Sequence, residues 1–169
     1  MAHPIPPLRL KKNEDRRLRI GHPWIYSNEV DVGRTPLSGL TPGSVCRVED
    51  HRGQPLGLAH VNPHALLCAR LLTRNPEEAI DLTFYARRLR DALELRAAMF
   101  DAPFYRLVHG EGDGLPGLVV DRYGDHLVMQ TGSAGMEQDL ALIVAALTEL
   151  LQPRGILLKG SGVARSVEG

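Results

Sequence analysis

The stretch SVCRVEDHRGQPLGLAHVNPHALLCARLLT, residues Ser44–Thr73, decides the fold of the first half of the chain. It contains three short apolar segments, Ser44–Glu49, Leu56–Val61 and Leu66–Thr73, which are separated by residues typical of turns. Segments of this length and spacing predict β-strands joined by tight turns. Together they predict a small β-barrel.

Upstream of these strands the sequence predicts an edge strand and a short helix. The prolines of Ile5–Leu10 place a first strand at the edge of its sheet, where a missing N–H is tolerated. Asn13 is predicted to cap a helix that runs to about Ile20 and ends at Gly21. The next segment, Gly21–Tyr26, predicts a turn with room for one further helical turn.

The residues Arg74–Pro76 predict a boundary between two modules, residues 1–74 and 75–169. In the second module, Asp81 is predicted to cap a long helix over 82–100. The predicted apolar stripe of this helix consists of Leu82, Tyr85, Leu89 and Leu93.

Four strands and a second helix are predicted after the long helix. In chain order they are a strand at Tyr105–Val108, a hairpin of Leu118–Asp121 and Leu127–Thr131 turning at Tyr123–Asp125, a helix at Met136–Leu151 and a strand at Pro153–Leu158. This order predicts helices that cover one face of a sheet. The fold class is therefore α+β, with a small β-barrel followed by a small α+β domain.

The net charge of zero hides an asymmetry between the two modules. Residues 1–74 contain 11 lysines and arginines and 6 acids, a net charge of +5, whereas residues 75–169 carry −5. A basic front joined to an acidic back indicates two modules with different partners. Phosphate is the natural partner for the basic module.

A basic run near the N-terminus is the first candidate site. It places six cations and two acids within eleven residues. The cations are Arg9, Lys11, Lys12, Arg16, Arg17 and Arg19. On a helix, Lys12, Arg16 and Arg19 share one face, and such a face neutralises phosphates. The alternative is a solvated helix face without a ligand.

Charge reversal of Arg16 and Arg17 is expected to weaken RNA binding with little loss of fold. Unchanged binding would instead favour an RNA surface formed by three arginines of the barrel, Arg47, Arg52 and Arg70.

The segment His22–Tyr26 contains the only tryptophan of the chain. Next to a basic patch, Trp24 could stack on a base, a contact worth about 1–3 kcal/mol. Alternatively, Trp24 fills the end of the barrel and Pro23 shapes the turn, while His22 stays exposed. The candidate RNA-binding residues are Lys11, Lys12, Arg16, Arg17, Arg19, His22, Trp24 and Arg70.

The glycine-rich stretch Gly110–Gly117 is a third candidate site, with His109, Glu111 and Asp113 as possible metal ligands. The metal interpretation is weak, because hard cations need more oxygen ligands and zinc needs a fourth partner. A phosphate cradle is also weakly supported, since no Gly-Lys-Ser/Thr follows. Positive φ angles and tight turns explain the glycines more simply.

The sequence contains no self-contained catalytic set. Cys46 and Cys68 lie in apolar, strand-like stretches and are expected to be buried thiols rather than nucleophiles or ligands. No apolar run is long enough to span a bilayer and no signal peptide is evident, which indicates the cytoplasm.

Three segments resemble a known family, the RlmI-type 23S rRNA 5-methylcytosine methyltransferases. They are RIGHPWIYS at Arg19–Ser27, PEEAID at Pro76–Asp81 and YRLVHGEGDGLPGLVVDRYG at Tyr105–Gly124. The third is the specific one, because it is long and ordered. The resemblance extends from about Leu8 to Gly169.

This resemblance implies a PUA domain that binds RNA, followed by a central domain of the strand-strand-helix-strand-strand type. It also implies a third, Rossmann-like domain that binds S-adenosylmethionine and supplies a nucleophilic cysteine. That domain is expected after Gly169 and is absent from this sequence, so no catalytic, cofactor-binding or metal residue is assigned here. The end, Val163–Gly169, resembles an interior stretch of the family, which indicates a shortened chain.

Three functions are thus distinguished. The first is the RNA-binding, catalytically inactive front portion of an rRNA methyltransferase, with ribosomal RNA and the missing catalytic domain as partners. A homodimer through an exposed apolar surface is a further expectation, and a membrane partner is not. The second is a stand-alone PUA-type RNA-binding protein. The third, a metal-dependent hydrolase at His109, Glu111 and Asp113, ranks far below the others.

Overall fold

A computed structural model of the protein describes residues 4–160 and divides them into two units, with the division between Glu78 and Ala79. The prediction for Val163–Gly169 lies outside the described residues. The two units are described separately below.

The first unit contains one five-stranded sheet and a short helix. Its elements are β1 (Pro7–Arg9), α1 (Arg16–Arg19), β2 (Trp24–Tyr26), β3 (Val45–Glu49), β4 (Pro55–Val61) and β5 (Leu67–Thr73). The strand order is β1-β3-β4-β5-β2, in which β1 runs parallel to β3 and the other pairs are antiparallel. The three strands predicted within Ser44–Thr73 are confirmed, and so is the edge position of β1.

Alternation along the strands builds the core of this unit. Cys46 and Val48 of β3 face the interior together with Ala59 and Val61 of β4, and all four side chains are buried. The cores of small domains are filled by such every-second-residue patterns, because successive side chains of a strand point to opposite faces. Ile25 of β2 joins the same cluster and pairs with the buried Ala69.

Two predictions for the N-terminal region are wrong. Asn13 does not cap the helix: it lies in a turn with a left-handed φ of 70°, and α1 begins only at Arg16. The segment after Gly21 is not a helical turn but strand β2, because burial of Ile25 and pairing with β5 override the local preference. The predicted helix end is confirmed, since Gly21 has a φ of 113° and the N–H of His22 donates to the carbonyl of Arg17.

The second unit packs helices with a four-stranded sheet. Its elements are α2 (Leu82–Met99), β6 (Phe104–His109), β7 (Leu118–Tyr123), β8 (His126–Thr131), α3 (Ala134–Gln138), α4 (Leu140–Leu151) and β9 (Gly155–Leu158). The strand order is β6-β7-β8-β9, with β8 and β9 parallel. The cap at Asp81, the hairpin of β7 and β8, and the final strand are confirmed.

The second predicted helix is in fact two helices, which meet at Asp139. The chain leaves the helical path at Asp139, whose carboxylate accepts a hydrogen bond of 2.6 Å from the hydroxyl of the buried Tyr85. Burial and this carboxylate raise the pKa of Tyr85, so the hydroxyl stays protonated and donates.

The apolar stripe of α2 is rotated from its predicted position. Phe84 and Ala92 are buried beside Tyr85 and Leu89, whereas Leu82 and Leu93 are only half-buried. The rings of Phe84 and Tyr85 meet edge-on, with centroids 5.2 Å apart, which favours this orientation of the helix.

The order of elements in the second unit also differs from the strand-strand-helix-strand-strand pattern. Among residues 79–160, three strands precede the helix pair α3 and α4, and one strand follows it.

The β4–β5 pair yields a stability prediction at Gly57. This glycine has a φ of 144°, and a Cβ atom there would lie 2.0 Å from the carbonyl oxygen of Thr73. Because neither the backbone angle nor the space suits a side chain, Gly57→Ala is expected to reduce the free energy of unfolding by about 2–4 kcal/mol. Urea unfolding of the first unit measures the effect.

Gly39→Ala is the matched control, since nothing lies within 4 Å of its Cβ position and its φ is ordinary. Equal urea midpoints for the Gly57 and Gly39 variants would contradict the prediction.

Candidate nucleic-acid interface

The cations of the basic run lie on α1 and in the residues before it. Some of their side chains form ion pairs or hydrogen bonds, and others form none. Lys11, Lys12, Arg16 and Arg19 are exposed, while Arg17 is partly buried. From the sequence alone these residues are equivalent positive charges. Their contacts show that they are not equivalent.

Arg17 is held by the interior of the first unit. Its guanidinium lies 2.5 Å from the carboxylate of Glu29 and 5.3 Å from the ring centroid of Tyr26. Glu29 is buried and also accepts a hydrogen bond of 2.7 Å from the N–H of Tyr26. Charge reversal of Arg17 would leave two carboxylates facing each other, so the expectation of little loss of fold does not apply at this position.

Arg19 and Lys11 are also engaged. The guanidinium of Arg19 pairs with Asp15 and, at 3.3 Å, with Asp50. The ammonium group of Lys11 donates to the carbonyl of Asn28 at 2.8 Å. Both side chains remain accessible to solvent, so they keep charge at the surface while their positions are fixed.

Asp50 connects α1 to the turn between β3 and β4. One carboxylate oxygen faces Arg19, and the other accepts the N–H groups of Arg52 and Gln54 at 2.8 and 2.9 Å. Desolvation opposes the charged form of Asp50, but the two N–H groups, together with the nearby His51 and Arg19, outweigh it, and the pKa of Asp50 lies below its usual value. The turn that carries Arg52 is thereby fixed beside α1.

Of the six cations of the basic run and the three arginines Arg47, Arg52 and Arg70, three have no hydrogen bond or ion pair to their side chains among the described residues, namely Lys12, Arg16 and Arg52. All three are exposed. We call them the free cations. A phosphate can approach them without breaking an existing ion pair, which makes this surface a candidate anion site of the first unit.

The other predicted RNA contacts are less open. His22, Trp24 and Arg70 are all half-buried, and Trp24 lies directly opposite Arg70 on the neighbouring strand. The imidazole of His22 meets the indole edge-on, with ring centroids 5.5 Å apart, and accepts a hydrogen bond from the N–H of Trp24. Because Trp24 is half-buried, less of its indole face is accessible for stacking on a base than the ring of an exposed residue would be.

The alternative surface formed by Arg47, Arg52 and Arg70 is not a cluster of free charges. Arg47 lies 3.4 Å from the carboxylate of Glu49, and Arg70 is engaged as well. Arg52 alone of these three arginines is unheld among the described residues, and Asp50 links it to the α1 surface.

The glycine-rich segment is joined to α2 by an ion pair between Asp113 and Arg96, which we call the clamp. Asp113 forms a two-pronged ion pair with Arg96 of α2, with N–O distances of 2.6 and 2.7 Å, and accepts the N–H of His109 at 2.6 Å. The side chains of Arg96 and Asp113 are only 12% and 5% exposed. Within residues 4–160, no three His, Cys, Asp or Glu side chains are grouped so that they could hold a metal ion.

Sequence reasoning missed the role of Arg96, although a signal was present. Arg96 continues the three- and four-residue spacing of Leu89 and Leu93 along α2, which places it on the inward side of the helix. An arginine on that side requires a carboxylate partner, and Asp113 provides it.

The two cysteines are buried free thiols, as predicted. Burial raises the pKa of Cys68 to about 12 and also raises that of Cys46. Neither side chain is therefore a thiolate near neutral pH. No helix within residues 4–160 combines the length and the apolar character needed to cross a bilayer.

Known proteins resemble this chain in sequence and in fold. Residues 8–74 match the family model of a PUA-like domain. The chain is 36% identical over 164 residues to a protein from Cronobacter sakazakii named ribosomal RNA large subunit methyltransferase I, and 35% identical to proteins of the same name from Escherichia coli. These matches confirm the resemblance to the RlmI-type family.

Each match covers 95% of this chain but only 40% of the relative, so the chain spans about two fifths of the curated relatives' length. Two solved structures share the fold. One is a putative S-adenosylmethionine-dependent methyltransferase from Streptococcus mutans, with a TM-score of 0.75, 17% identity and coverage of 91% of this chain and 41% of that one. The other is a putative methyltransferase complexed with SAH, with a TM-score of 0.76, 17% identity and coverage of 92% and 40%.

The clamp between Arg96 and Asp113 yields a second stability prediction. Asp113→Ala leaves a nearly buried guanidinium without its carboxylate, so the free energy of unfolding of the second unit is expected to fall by about 3–5 kcal/mol. Thermal and urea unfolding measure the loss.

The exposed pair Arg154–Asp125, with side chains 78% and 67% exposed, is the matched control. Asp125→Ala is expected to cost less than about 1 kcal/mol, because solvent screens exposed pairs. Similar losses for the two variants would show that Asp113 is not a structural clamp.

Proposed function

We propose that this chain, which resembles the RlmI-type methyltransferases over 95% of its length, is the RNA-binding portion of a cytoplasmic, S-adenosylmethionine-dependent 23S rRNA cytosine-5 methyltransferase. In this proposal the chain positions ribosomal RNA, and another part of a longer protein transfers the methyl group. The resemblance over nearly the whole chain, including the PUA-like domain at 8–74, carries the proposal.

Electrostatics supports RNA contact at the α1 surface. Lys12, Arg16 and Arg52 are free to neutralise phosphates, and Arg19 adds accessible charge. Each neutralised phosphate releases counterions, so three contacts imply a slope of about −2 to −3 in a plot of log affinity against log salt concentration. Phosphate contacts position the RNA but do not specify its sequence.

The held cations give the surface a fixed shape. Arg17 is tied to Glu29 and Arg19 to Asp15 and Asp50, so α1 and the Arg52 turn do not need to reorganise when a phosphate binds. Preorganised groups lose less conformational entropy on binding. The ion pairs of the first unit thus fix the positions of α1 and the Arg52 turn, whereas the free cations contact the phosphate.

The described residues do not fit the cofactor that the family uses. The glycine-rich segment leads from β6 into β7 and not into a helix N-terminus, and its Asp113 is taken by Arg96. In Rossmann-like folds, where the resemblance places the family's cofactor, the glycine-rich loop follows a strand and opens a helix. We therefore assign S-adenosylmethionine to the proposed catalytic part of the longer protein and no cofactor residue to this chain.

A stand-alone PUA-type RNA-binding protein is the second candidate. The free cations could bind RNA equally well in a stand-alone protein, since phosphate binding needs no catalytic domain. The codons that follow Gly169 separate the two candidates, because an in-frame methyltransferase domain excludes the stand-alone protein and a native stop codon excludes the fusion.

The first functional prediction concerns the free cations. The double variant Lys12→Glu, Arg16→Glu is expected to lower the affinity for a structured 23S rRNA fragment at least about tenfold and to flatten the salt dependence by about two phosphate contacts. Both side chains are exposed and unheld among the described residues, so the fold is expected to survive. Fluorescence anisotropy over a salt series measures both quantities.

A second double variant, Arg90→Glu, Arg154→Glu, makes the same change in net charge on the acidic unit and serves as the control. It is expected to bind RNA nearly as the unchanged chain does. If both double variants lose affinity equally, net charge rather than the α1 surface determines binding.

The second functional prediction concerns chemistry. The 169-residue chain incubated with unmodified 23S rRNA and radiolabelled S-adenosylmethionine is expected to transfer no label, because the described residues provide neither a cofactor loop nor an ionised cysteine. Scintillation counting of the recovered RNA tests this. Label transferred by the purified chain would overturn the assignment of chemistry to another domain.

A further inference from the structure

Three aromatic side chains form one row across three strands of the sheet in the second unit. Phe104 of β6 lies directly opposite Tyr123 of β7, and Tyr123 lies directly opposite His126 of β8. All three are exposed, Phe104 to 64% and Tyr123 to 54%. Side chains that are opposite each other on neighbouring strands project from the same face of a sheet, with Cβ atoms about 4.5–5.5 Å apart. We call these three side chains the aromatic row.

The aromatic row lies on the face of the sheet that is turned away from the core. Successive residues of a strand point to opposite faces. Val120 of β7 and Met129 of β8 are paired with each other and fully buried, and each lies an odd number of residues from Tyr123 or His126 on its own strand. The core therefore packs on one face and the aromatic row projects from the other, which none of the functions proposed above uses.

The rings of the aromatic row have no partner among the described residues. None of them stacks on another ring or on a guanidinium, and neither the hydroxyl of Tyr123 nor the imidazole of His126 has a hydrogen bond there. The ring of Tyr105, which points to the opposite face, is occupied by contrast. It stacks on Phe100 with centroids 5.4 Å apart, and the guanidinium of Arg122 lies 5.8 Å from its centroid. Only the aromatic row is thus open to a planar ligand at this end of the sheet.

The β7–β8 hairpin presents no unpaired carboxylate to a strand of RNA. Its two acids are Asp121 and Asp125. Asp121 forms a two-pronged pair with Arg106 at 2.8 and 3.2 Å, and Asp125 lies 3.5 Å from the guanidinium of Arg154. Although the second module is acidic as a whole, the acids of this hairpin are neutralised by arginines, so they do not repel a phosphate backbone that passes the aromatic row.

We propose that the aromatic row binds single-stranded RNA by stacking unpaired bases on its rings. Exposed rings on neighbouring strands of a sheet can each hold one base, and stacking needs no unpaired charge. The inference rests on the proposed function, since it presupposes that the chain binds RNA, and it adds the kind of RNA. Phosphate contacts at the α1 surface position the RNA, whereas the aromatic row contacts its bases.

A flat protein partner fits this face less well than a single strand does. The pair of Arg106 and Asp121 lies on the same face, two residues along each strand from Phe104 and Tyr123, and both of its side chains are accessible to solvent. A protein that covered the face would take this ion pair out of water, which is costly. A base stacked on a ring covers the ring and leaves the pair hydrated.

Fluorescence anisotropy with a short single-stranded RNA tests the proposal. Phe104→Ala and Tyr123→Ala are each expected to lower the affinity of the 169-residue chain at least about fivefold, because each removes a ring on which a base stacks. The slope of log affinity against log salt concentration is expected to stay the same, since stacking neutralises no phosphate. Tyr123→Phe keeps the ring and is expected to bind as the unchanged chain does.

Leu157→Ala is the matched control. Leu157 is 65% exposed and lies opposite Val128 of β8 on the same face of the sheet, but it has no ring. This variant is expected to keep the affinity of the unchanged chain. A fully paired RNA duplex is the second control, and all the variants are expected to bind it equally, because its bases are not free to stack on a side chain.

The outcomes separate this proposal from the proposed function. If the unchanged chain binds the single strand and both alanine variants bind it equally well, the aromatic row does not contact bases, although the proposed function stands. The proposal is also overturned if Leu157→Ala is as damaging as the ring variants. If the unchanged chain binds neither the single strand nor the duplex, the proposed function fails as well. Self-association in sedimentation velocity that Tyr123→Ala abolishes, with RNA affinity unchanged, would assign the aromatic row to a second copy instead.

Discussion

A carboxylate that loses its water on folding must be held by a cation or by hydrogen-bond donors, and four carboxylates of this chain depend on that condition. Glu29, Glu49, Asp50 and Asp113 have side chains that are 10% exposed or less. Each one is paired with an arginine, and the arginines are Arg17, Arg9, Arg19 and Arg96 respectively. These pairs fix β1, α1 and the β3–β4 turn in the first unit, and α2 against the glycine-rich segment in the second.

The need of buried carboxylates for cationic partners also decides which cations stay unpaired and can bind a ligand. A count of charges assigns six cations to the basic run, but the interior of the first unit takes Arg9 and Arg17, and Arg19 is shared between two acids. Lys12 and Arg16 stay free, and Arg52 joins them through the Asp50 turn. The anion surface is therefore smaller than the sequence indicates and includes a residue from a different segment. Glu29, Asp50 and Glu49 lie 12, 31 and 40 residues from Arg17, Arg19 and Arg9, and such partners cannot be identified from local spacing.

Much of the fold was predictable because local patterns and tertiary structure agree there. The β7–β8 hairpin alternates between buried and more exposed residues, and the strands within Ser44–Thr73 are short apolar runs bounded by turn residues. A glycine with a φ of 61° turns the hairpin. Predictions failed where a distant contact outweighs local preference. Trp24–Tyr26 is a strand because β5 pairs with it, and the helix after Ser133 breaks at Asp139, which binds Tyr85 from α2. In each case the deciding partner is more than 40 residues away.

The stretch that most specifically indicates the family, Tyr105–Gly124, turns out to serve the scaffold. Arg106 pairs with Asp121 across β6 and β7, Arg122 donates to the hydroxyl of Tyr105, and Asp113 holds Arg96. Gly114 is equally structural, since it ends a short 3-10 turn with a left-handed φ of 68°, a conformation that strains residues with a side chain. A run in which most charged side chains already have a partner has little charge left to offer a ligand. Resemblance in this run therefore identifies the fold. The function has to be argued from the side chains that the fold leaves unpaired, such as the free cations of the first unit.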